Sequence, residues 1–527
     1  MTQFDPEASR MTLFSALLRS AARNGADRAA VEDVERNPLT YRRLVQGSMV
    51  LGRKLAAITR RGENVGVMLP NVTALPLTLF ALNAFGRVVA MLNFTAGVRN
   101  LKSAVKAAAV RTVITSRKFI ETAKLEQTIE ALGNHETASG RQLEIIYLED
   151  IRAHLTTADK AKGALQALAA GAVHRWHALS PEQPAVILFT SGTEGEPKGV
   201  ALSNRNLVAN TQQIFAFGEK MLRTSDIFFN PLPNFHAFGL TGGTLLPLFN
   251  GMKTVLYPSP LHYRQVARLI GETQATILVA TDTFLQGYAR AARPEDLASI
   301  RYAVAGAERV KPVTRGMWSR DGAVLLEGYG VTECSPVVAL NLPDTNRSGT
   351  VGRIIPGIEY RLAEVPGLKE GGRLSVKGPN VMLGYMLPSD PGVIVPPPGG
   401  WHDTGDIVTI DKEGFVTIRG RAKRFAKVGG EMVSLAAVES IVCSLWPDGN
   451  HVVLSIPDPH KGEQLVLVTD KPDADRDALI RYMQEEKISP LWLPKAILVI
   501  PAIPVLSSGK VDLMGATELV RQQLPLL

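Results

Sequence analysis

The segment from residue 190 to residue 199, TSGTEGEPKG, carries the densest group of side chains that could bind a charged ligand. Its hydroxyls belong to Thr190, Ser191 and Thr193, its ammonium to Lys198, and its spacing residues are Gly192, Glu194, Gly195 and Gly199. Glycine allows a positive φ and a close approach of backbone to ligand. Consecutive backbone N–H groups in such a turn form a concave anion site. The segment therefore predicts a loop that holds a polyphosphate.

The Walker loop is a different phosphate loop and does not fit these residues. It needs Gly-Lys followed by Ser or Thr at the start of a helix. Here Lys198 precedes Gly199, and no hydroxyl residue follows the lysine. A P-loop kinase or ATPase is therefore disfavoured.

A second motif with residues suited to ligand binding is LEGYGVTE, which ends at Glu333. Tyr329 offers a flat ring for base stacking, and Gly330 beside it is conformationally permissive. Thr332 can donate a hydrogen bond to a phosphate, and Glu333 is a hard oxygen ligand suited to Mg²⁺. These residue types predict a site for a nucleotide and its metal ion.

Both strings closely resemble motifs of the acyl-adenylate-forming superfamily, which includes acyl-CoA synthetases, peptide-synthetase adenylation domains and luciferases. The resemblance continues in family order through the tripeptide at 306–308, the TGD sequence at 404–406, the basic stretch at 419–427 and the PVLSSGK sequence that ends at Lys510. It implies a large α/β domain of layered sheets and helices and a small, mobile α+β domain. We place the boundary between residues 420 and 421, giving domains 1–420 and 421–527.

The resemblance also implies a role for each matching residue. The adenine loop is Gly306, Ala307 and Glu308. Asp406 accepts from the ribose hydroxyls, Arg421 reaches ribose or phosphate, and His236 lies beside the carboxylate pocket. Lys510 and Thr332 contact the reacting carboxylate and α-phosphate, with Mg²⁺ on Glu333. Lys423 is the hinge, and Gly429 and Gly430 line the channel for a pantetheine thiol.

The implied activity is ATP-dependent activation of an acid to acyl-AMP, followed by transfer to a thiol. The strings NPLPNFHAFGL, VAGAERV and RAKRFAKVGGE look like the synthetase half of the bacterial bifunctional protein that loads fatty acids onto acyl carrier protein and reacylates lysophosphatidylethanolamine. The acyltransferase domain of that protein has no counterpart here, so we expect no lysolipid activity from this chain. We expect a saturated or monounsaturated fatty acid of medium to long chain as substrate.

The preferred thiol acceptor is acyl carrier protein, because residues 419–427 carry five basic side chains and no acid. Reversing the charge of Arg424 should then slow carrier association. Coenzyme A is also anionic, so a fatty acyl-CoA ligase remains an alternative, as does a ligase for aromatic or small acids. An amino-acid adenylation module would need an acidic residue at the pocket, which 230–239 lacks. A non-catalytic paralogue would be expected to lack Lys510, Glu333 or Asp406.

The elements that must position these residues alternate between strand and helix patterns. Short apolar runs at 65–70, 88–92, 112–115, 185–189, 276–280 and 302–306 predict buried strands, and 11–22, 39–55, 101–110 and 203–213 have helical spacing. That alternation favours a layered α/β domain. Strands at 452–456, 465–469 and 496–500 and a helix at 475–487 are predicted near the C-terminus. Residues 389–400 are a loop by composition.

Composition sets broad limits on the protein. The 527 residues, 45% hydrophobic and 20% charged, suit a globular chain of more than one domain. Two cysteines make neither a disulfide framework nor a four-cysteine metal site, so a reducing cytoplasm fits. The net charge of +8 permits peripheral contact with the inner membrane without requiring it. We expect no nucleic-acid partner, and we attribute the HxxxxD pattern of His154 and Asp159 to chance.

Overall fold

The computed structural model describes residues 4–137, 140–191, 196–320, 322–365, 368, 370–428, 431–458, 462–505 and 511–523. The chain divides into two compact units. The first consists of Met1–Asn346, Ile354–Glu359 and Lys377–His402, and the second of Arg347–Arg353, Tyr360–Val376 and Asp403–Leu527. The functional boundary at 420/421 stays a prediction, because compactness does not show which residues move together.

The strands of the described residues, in chain order, are β1 (Ala29–Glu32), β2 (Leu39–Thr40), β3 (Asn64–Val67), β4 (Val88–Met91), β5 (Thr112–Thr115), β6 (Glu144–Tyr147), β7 (Pro184–Ser191), β8 (Pro197–Ser203), β9 (Ile227–Asn230), β10 (Lys253–Leu256), β11 (Ile277–Ala280), β12 (Tyr302–Ala305), β13 (Val324–Gly330), β14 (Val337–Leu340), β15 (Arg353–Ile354), β16 (Glu359–Ala363), β17 (Gly372–Lys377), β18 (Gly384–Leu387), β19 (Asp390–Val395), β20 (His402–Ile410), β21 (Val416–Arg421), β22 (Phe425–Val428), β23 (Glu431–Ser434), β24 (His451–Asp458), β25 (Gly462–Thr469) and β26 (Ala496–Val499).

The α-helices are α1 (Leu13–Asn24), α2 (Tyr41–Ile58), α3 (Ala74–Ala84), α4 (Val98–Ala107), α5 (Arg117–Ala123), α6 (Glu126–Gly133), α7 (Leu148–Ala153), α8 (Thr157–Leu168), α9 (Ala170–His177), α10 (Asn204–Phe217), α11 (Leu246–Phe249), α12 (Tyr263–Thr273), α13 (Asp282–Ala291), α14 (Pro312–Arg320), α15 (Leu435–Leu445), α16 (Arg476–Glu485) and α17 (Leu513–Gln523). A π-helix spans Phe238–Leu245, and 3₁₀ turns include Thr332–Cys334 and Ala422–Arg424.

Two large sheets organise the first unit. One has eight strands in the order β19-β18-β8-β7-β4-β3-β5-β6, and the other has nine in the order β15-β14-β13-β12-β11-β9-β10-β1-β2, with Ile354 of β15 at its edge. The β3–β6 and β9–β13 pairings are parallel, as strand–helix alternation predicts. Helices pack on these sheets around three clusters of buried apolar side chains.

The second unit has two sheets of its own. Strands β16, β17, β20 and β21 form the first, and β23, β22, β25 and β24 form the second, where β26 also pairs with β25. Helices α15 and α16 cover one apolar cluster of the second sheet, and α17 contributes to another. The strands and the helix predicted between residues 452 and 500 are confirmed within a few residues.

One local expectation was wrong. Residues 389–400 are not all loop, because β19 pairs antiparallel with β18, joining Tyr385 to Val395. The strand lies at the edge of its sheet, where a proline such as Pro391 is tolerated. Asp406 lies inside β20, directly after Gly405, which has a φ of +70°.

Candidate active site

Four parallel strands of the nine-stranded sheet end at the same edge. Their registers pair Leu278 with Phe229, Ala280 with Ala305, and Ala305 with Glu327. The segments that follow β9, β12 and β13 therefore emerge side by side. These are the segments that carry His236, the predicted adenine loop, and the string from Tyr329 to Glu333. The carboxyl edge of a parallel sheet is where α/β proteins place their ligand crevice.

The turn Thr332–Cys334 is held tightly at the end of β13. Gly330 has no room for a side chain, since a Cβ there would lie 2.4 Å from the carbonyl oxygen of Pro336. The buried amide of Asn380 donates to the carbonyl of Cys334 at 2.8 Å. The hydroxyl of Thr332 and the carboxylate of Glu333 are thus presented from a constrained backbone.

A hydrogen bond joins this turn to the other sheet. The Tyr385 hydroxyl on β18 donates to Glu333 Oε1 at 2.7 Å, and the backbone N–H of Met382 donates to the Glu333 carbonyl at 2.8 Å. Lys198 Nζ lies 5.6 Å from the centroid of the Tyr385 ring. Tyr385 pairs with Val200 on β8, two residues from Lys198, so the two side chains share a face. Lys198, Tyr385 and Glu333 therefore form one connected group, which we call the Lys198–Tyr385–Glu333 group.

The predicted phosphate loop connects β7 to β8. The two strands pair antiparallel, and their last registered pairs are Thr190 with Lys198 and Ser191 with Pro197. The predicted residues Gly192, Thr193, Glu194 and Gly195 lie outside the described residues. The structure thus brings Thr190 and Lys198 opposite each other at the base of the loop.

The predicted adenine loop follows β12 directly. Ala307 has a φ of +68°, and Gly306 sits where a Cβ would meet the Phe238 ring at 3.1 Å. Phe238 opens the π-helix, a helix type that occurs often at functional sites. The Phe238 ring belongs to the segment of the predicted acid pocket and lies against the predicted adenine loop.

The carboxylate of Glu308 has a structural partner in this loop. It accepts a hydrogen bond from the backbone N–H of Thr283 at 2.9 Å, in the first turn of α13. Burial raises the pKa of Glu308, and the neighbouring charge of Asp282 raises it further, against the lowering by its hydrogen bonds to threonines. The carboxylate of Glu308 therefore binds a backbone N–H group at the start of α13. Its contact with the nucleotide stays a prediction.

The segment that carries His236 is fixed by buried polar contacts. The Asn230 amide donates to the Gly239 carbonyl at 2.9 Å, and its oxygen accepts from the backbone N–H of Leu232 at 3.1 Å. Gly243 makes room for this side chain, since a Cβ there would lie 2.3 Å from the Asn230 side chain. His236, partly exposed, lies with its ring centroid 4.8 Å from that of Phe235.

In the second unit, two predicted ribose residues contact each other. Asp406 on β20 and Arg421 on β21 are registered partners, and the Arg421 guanidinium lies 3.2 Å from Asp406 Oδ1. Asp406 is buried and Arg421 is exposed. The arginine therefore orients the carboxylate and partly balances its charge.

Arg424 is half-buried and bonded within the second unit, and its expected role in carrier association stays a prediction. Its guanidinium donates to Glu439 at 2.6 Å and to the Val453 carbonyl at 2.7 Å. Burial raises the pKa of Glu439, and the charge of Arg424 opposes that shift. The backbone of the predicted hinge Lys423 lies in the same 3₁₀ turn. Gly429, Gly430 and Lys510 lie outside the described residues.

A basic cavity of about 330 Å³ lies in the first unit beside the start of β8. Arg99, Lys102, Lys106 and His135 line it together with Glu196, which directly precedes β8. Burial and the charges of the two lysines lower the pKa of His135. Three permanent cations around one cavity make it suited to an anion.

No cluster of three or more His, Cys, Asp or Glu side chains that could hold a metal occurs in the part of the chain that the structure describes. Mg²⁺ typically takes one or two carboxylates together with substrate phosphate oxygens. Glu333 fits that pattern, because its Tyr385 partner is a neutral donor that leaves the carboxylate charge intact. Within the same residues, no helix combines the length and hydrophobicity needed to cross a membrane.

Residues 17–386 match the family model described as AMP-binding enzyme. The chain belongs to the AMP-binding enzyme family. A long-chain-fatty-acid–CoA ligase of Salmonella typhimurium is 28% identical over 94% of this chain and 92% of its own length. A medium-chain fatty-acid–CoA ligase of Escherichia coli is 29% identical over 63% of this chain and 60% of its own length. The superfamily predicted from the motifs is therefore confirmed.

The fold is shared with solved members of this family. The anthranilate CoA ligase AuaEII, in complex with anthranoyl-AMP, superposes with a TM-score of 0.79 at 20% identity, over 99% of this chain and 100% of the other. ATP-bound MatB from Rhodopseudomonas palustris gives 0.78 at 22% identity, over 97% and 99%. The predicted α/β architecture with a small C-terminal domain is thus that of AMP-forming ligases.

Sequence reasoning missed three residues that hold this candidate site together. Tyr385 received no site assignment, although its hydroxyl donates to Glu333. Asn380 and Asn230 carried no assignment, yet each is fully buried and bonded to backbone. An asparagine inside an otherwise apolar string was the available signal, since buried amides must find partners.

Proposed function

We propose that this AMP-binding enzyme activates a medium- or long-chain fatty acid with ATP and transfers the acyl group to a phosphopantetheine thiol. The observation that carries this proposal is the Lys198–Tyr385–Glu333 group beside the turn of Thr332. This group combines a cation and a hydroxyl donor on the eight-stranded sheet with a metal-suited carboxylate that follows a parallel strand of the nine-stranded sheet. Such a set can neutralise a triphosphate while the α-phosphate reacts.

In the first half-reaction a carboxylate oxygen of the acid attacks the α-phosphorus of ATP. The new bond gives the acyl-adenylate, and the bond to pyrophosphate breaks. We assign Thr332 to the α-phosphate, and Thr190 and Lys198 to the β- and γ-phosphates. Mg²⁺ on Glu333 supplies charge neutralisation when bound. Lys510 is assigned to the reacting carboxylate on the motif resemblance alone.

The nucleoside contacts follow from the same reasoning. We assign the ring of Tyr329 and the backbone of 306–308 to adenine, with the ring stacking on the base. Asp406 is assigned to the two ribose hydroxyls, since one carboxylate can accept from both. Its bond with Arg421 fixes the carboxylate for that task.

The acid is proposed to enter beside His236 and Phe238. Of the apolar residues near His236, Phe235 and Leu240 are buried in the core, whereas Phe238 is partly exposed. Phe238 is thus the aromatic residue of this segment best placed to meet an acyl chain. The names of the long-chain and medium-chain fatty-acid ligases among the relatives support a fatty acid.

In the second half-reaction a thiol sulfur attacks the acyl carbonyl, and AMP leaves. We assign Lys423 as hinge, and Gly429 and Gly430 as the thiol channel, on the motif resemblance. The relatives that span most of the chain are named CoA ligases, and Arg424 is engaged internally. We therefore propose coenzyme A as the first acceptor, with acyl carrier protein as the alternative outcome of the test.

The test separates the two half-reactions. Pyrophosphate release is measured with acids from acetate to stearate and with benzoate and anthranilate, and then thioester formation with coenzyme A and with acyl carrier protein. Because each buried methylene adds about 0.8 kcal/mol, we expect kcat/KM to rise about fourfold per methylene until the pocket is filled. A flat response, or a preference for an aromatic acid, would contradict the substrate proposal.

The Lys510→Ala variant tests the assignment of steps. We expect loss of adenylation by roughly a hundredfold or more, with thioester formation from supplied acyl-AMP retained. Lys423→Pro should show the converse, because proline fixes φ where rotation is needed. Equal loss of both half-reactions in Lys510→Ala would refute this division.

A further inference from the structure

Helices α8 and α9 present the most exposed apolar side chains among the described residues. Leu165 is 68% exposed, Leu168 is 81% exposed and Trp176 is 85% exposed. All three fall within twelve positions of the chain. Singly exposed apolar residues need no explanation, but a cluster of large ones marks an interaction surface.

The inner faces of both helices are anchored in the first unit. A Cβ on Gly163 would lie 2.2 Å from Val50 Cγ2, so only glycine allows α8 to approach α2 so closely. Ala170 is buried in the same core, and Val173 packs against it. The His174 ring is buried and bonded to Thr12 and Ala84. The two helices therefore form a fixed platform.

The exposed residues lie on both helices, which meet at Ala169. Ala161, Leu165 and Leu168 are spaced four and three residues apart on α8, and Ala172 and Trp176 are four apart on α9. Residues at such intervals line one face of each helix. The outward stripe is thus apolar, where an ordinary surface helix is polar.

Cations flank this apolar stripe. Lys160, Lys162 and Arg175 are exposed. The acid beside them, Asp159, is held by Arg53 at 2.5 Å and by Lys54 at 2.7 Å. That pairing, together with the Thr156 cap, holds the pKa of Asp159 well below its usual value. The exposed charge of the two helices is therefore positive.

We propose that the outward face of α8 and α9 docks on the surface of an anionic phospholipid bilayer. Leucine and tryptophan side chains beside Lys and Arg are the composition of helices that lie in the membrane interface. Tryptophan favours that depth because its ring is apolar and its N–H remains hydrated. A symmetric dimer through this face is disfavoured, because a two-fold interface would bring the same three cations together.

The experiment measures flotation of the full chain with vesicles of phosphatidylcholine alone or with 30% phosphatidylglycerol. We expect binding to the anionic vesicles that weakens as salt is raised. Leu165→Gln/Leu168→Gln should lower the partition coefficient at least tenfold. The matched control is Leu261→Gln/Met514→Gln, since Leu261 is 58% exposed and Met514 is 67% exposed on other elements. Pyrophosphate release with a water-soluble acid should remain unchanged in both variants.

A second readout does not depend on the stability of a variant. Brominated phosphatidylcholine in the anionic vesicles should quench the fluorescence of Trp176 in the wild-type protein, and Trp176→Phe should remove most of that quenching. The proposal is overturned if anionic vesicles do not bind the wild-type chain. It is equally overturned if both double variants bind alike, or if Leu165→Gln/Leu168→Gln converts a dimer into a monomer in sedimentation.

Discussion

Replacing Tyr385 with phenylalanine isolates one hydrogen bond of the active site. The change removes the hydroxyl that donates to Glu333 at 2.7 Å and keeps the ring near Lys198. A hydrogen bond to a charged group contributes about 1.5–3 kcal/mol. If that bond positions Glu333 for the metal–nucleotide complex, kcat/KM for ATP should fall roughly ten- to hundredfold, at about 1.4 kcal/mol for each factor of ten.

The assay is acid-dependent pyrophosphate release at varied Mg²⁺ and ATP. We expect Tyr385→Phe to require more Mg²⁺ for half-maximal rate, because the carboxylate is no longer held in place. KM for the acid should change little. Tyr360→Phe is the matched control, since Tyr360 is 48% exposed and lies in the second unit. It should behave as the wild-type enzyme does.

A double-mutant cycle with Glu333→Gln decides whether the two residues act as a pair. Coupled residues show an interaction energy of about 0.5–3 kcal/mol, so the double variant should lose less than the sum of the single losses. Strict additivity, or an unchanged Mg²⁺ dependence in Tyr385→Phe, would refute the positioning role of the tyrosine.

Three further outcomes are expected. Arg424→Glu should destabilise the second unit by about 1.5–3 kcal/mol in thermal or denaturant unfolding, because the half-buried Glu439 loses its charged hydrogen-bond partner and gains a second acid beside it, whereas Lys427→Glu at an exposed position should not. Gly243→Ala should lower stability by about 1–3 kcal/mol and raise KM for the acid, because its new Cβ displaces a buried asparagine; Gly316→Ala, on a helix with no atom within 4 Å of the new Cβ, should do neither. The pKa of Glu308 is raised in the folded state, so the folded state binds this proton more tightly than the unfolded state does. The resulting stabilisation of the fold is present below pH 4.5 and is lost as pH rises through the folded pKa. Over this pH range the melting temperature of Glu308→Gln should therefore fall less than that of the wild-type protein. A larger fall would contradict the direction of the pKa shift.

Local patterns in the sequence predicted most of the elements that carry the site. The run at 112–115 and the strands at 277–280 and 302–305 lie where the apolar spacing placed them. Ser203 caps α10 through a hydrogen bond to Asn206, in keeping with the predicted helix start. Buried parallel strands and capped helices are specified by neighbouring residues, which explains why one sequence suffices for them.

Hydrogen bonds between residues far apart in the chain could not be predicted from local patterns. Tyr385 and Glu333 are 52 residues apart, and Asn380 reaches Cys334 across 46 residues. Each pair depends on the register between strands and turns of different sheets. The role of Glu308 as partner of α13 likewise depends on how two parallel strands align, which the tripeptide at 306–308 does not encode.

The choice of thiol acceptor shows how folding changes an argument from charge. Five basic residues between 419 and 427 suggested a docking face for an acidic carrier. In the folded second unit, Arg424 is bonded to the half-buried Glu439 and Arg421 to Asp406, so neither offers its full charge to a partner. The first unit holds a basic cavity beside the start of β8, and its three permanent cations, Arg99, Lys102 and Lys106, all lie on α4.

A small anionic acceptor could use such a cavity, whereas an acidic carrier helix needs an open basic face. Lys102 lines the cavity and Lys427 is exposed on the second unit, so their charge reversals separate the two acceptors. Lys102→Glu should raise KM for coenzyme A with little effect on carrier protein. Lys427→Glu should slow a carrier reaction and leave coenzyme A unaffected. If Lys427→Glu alone impairs thioester formation, and only with carrier protein, the acceptor is the carrier after all.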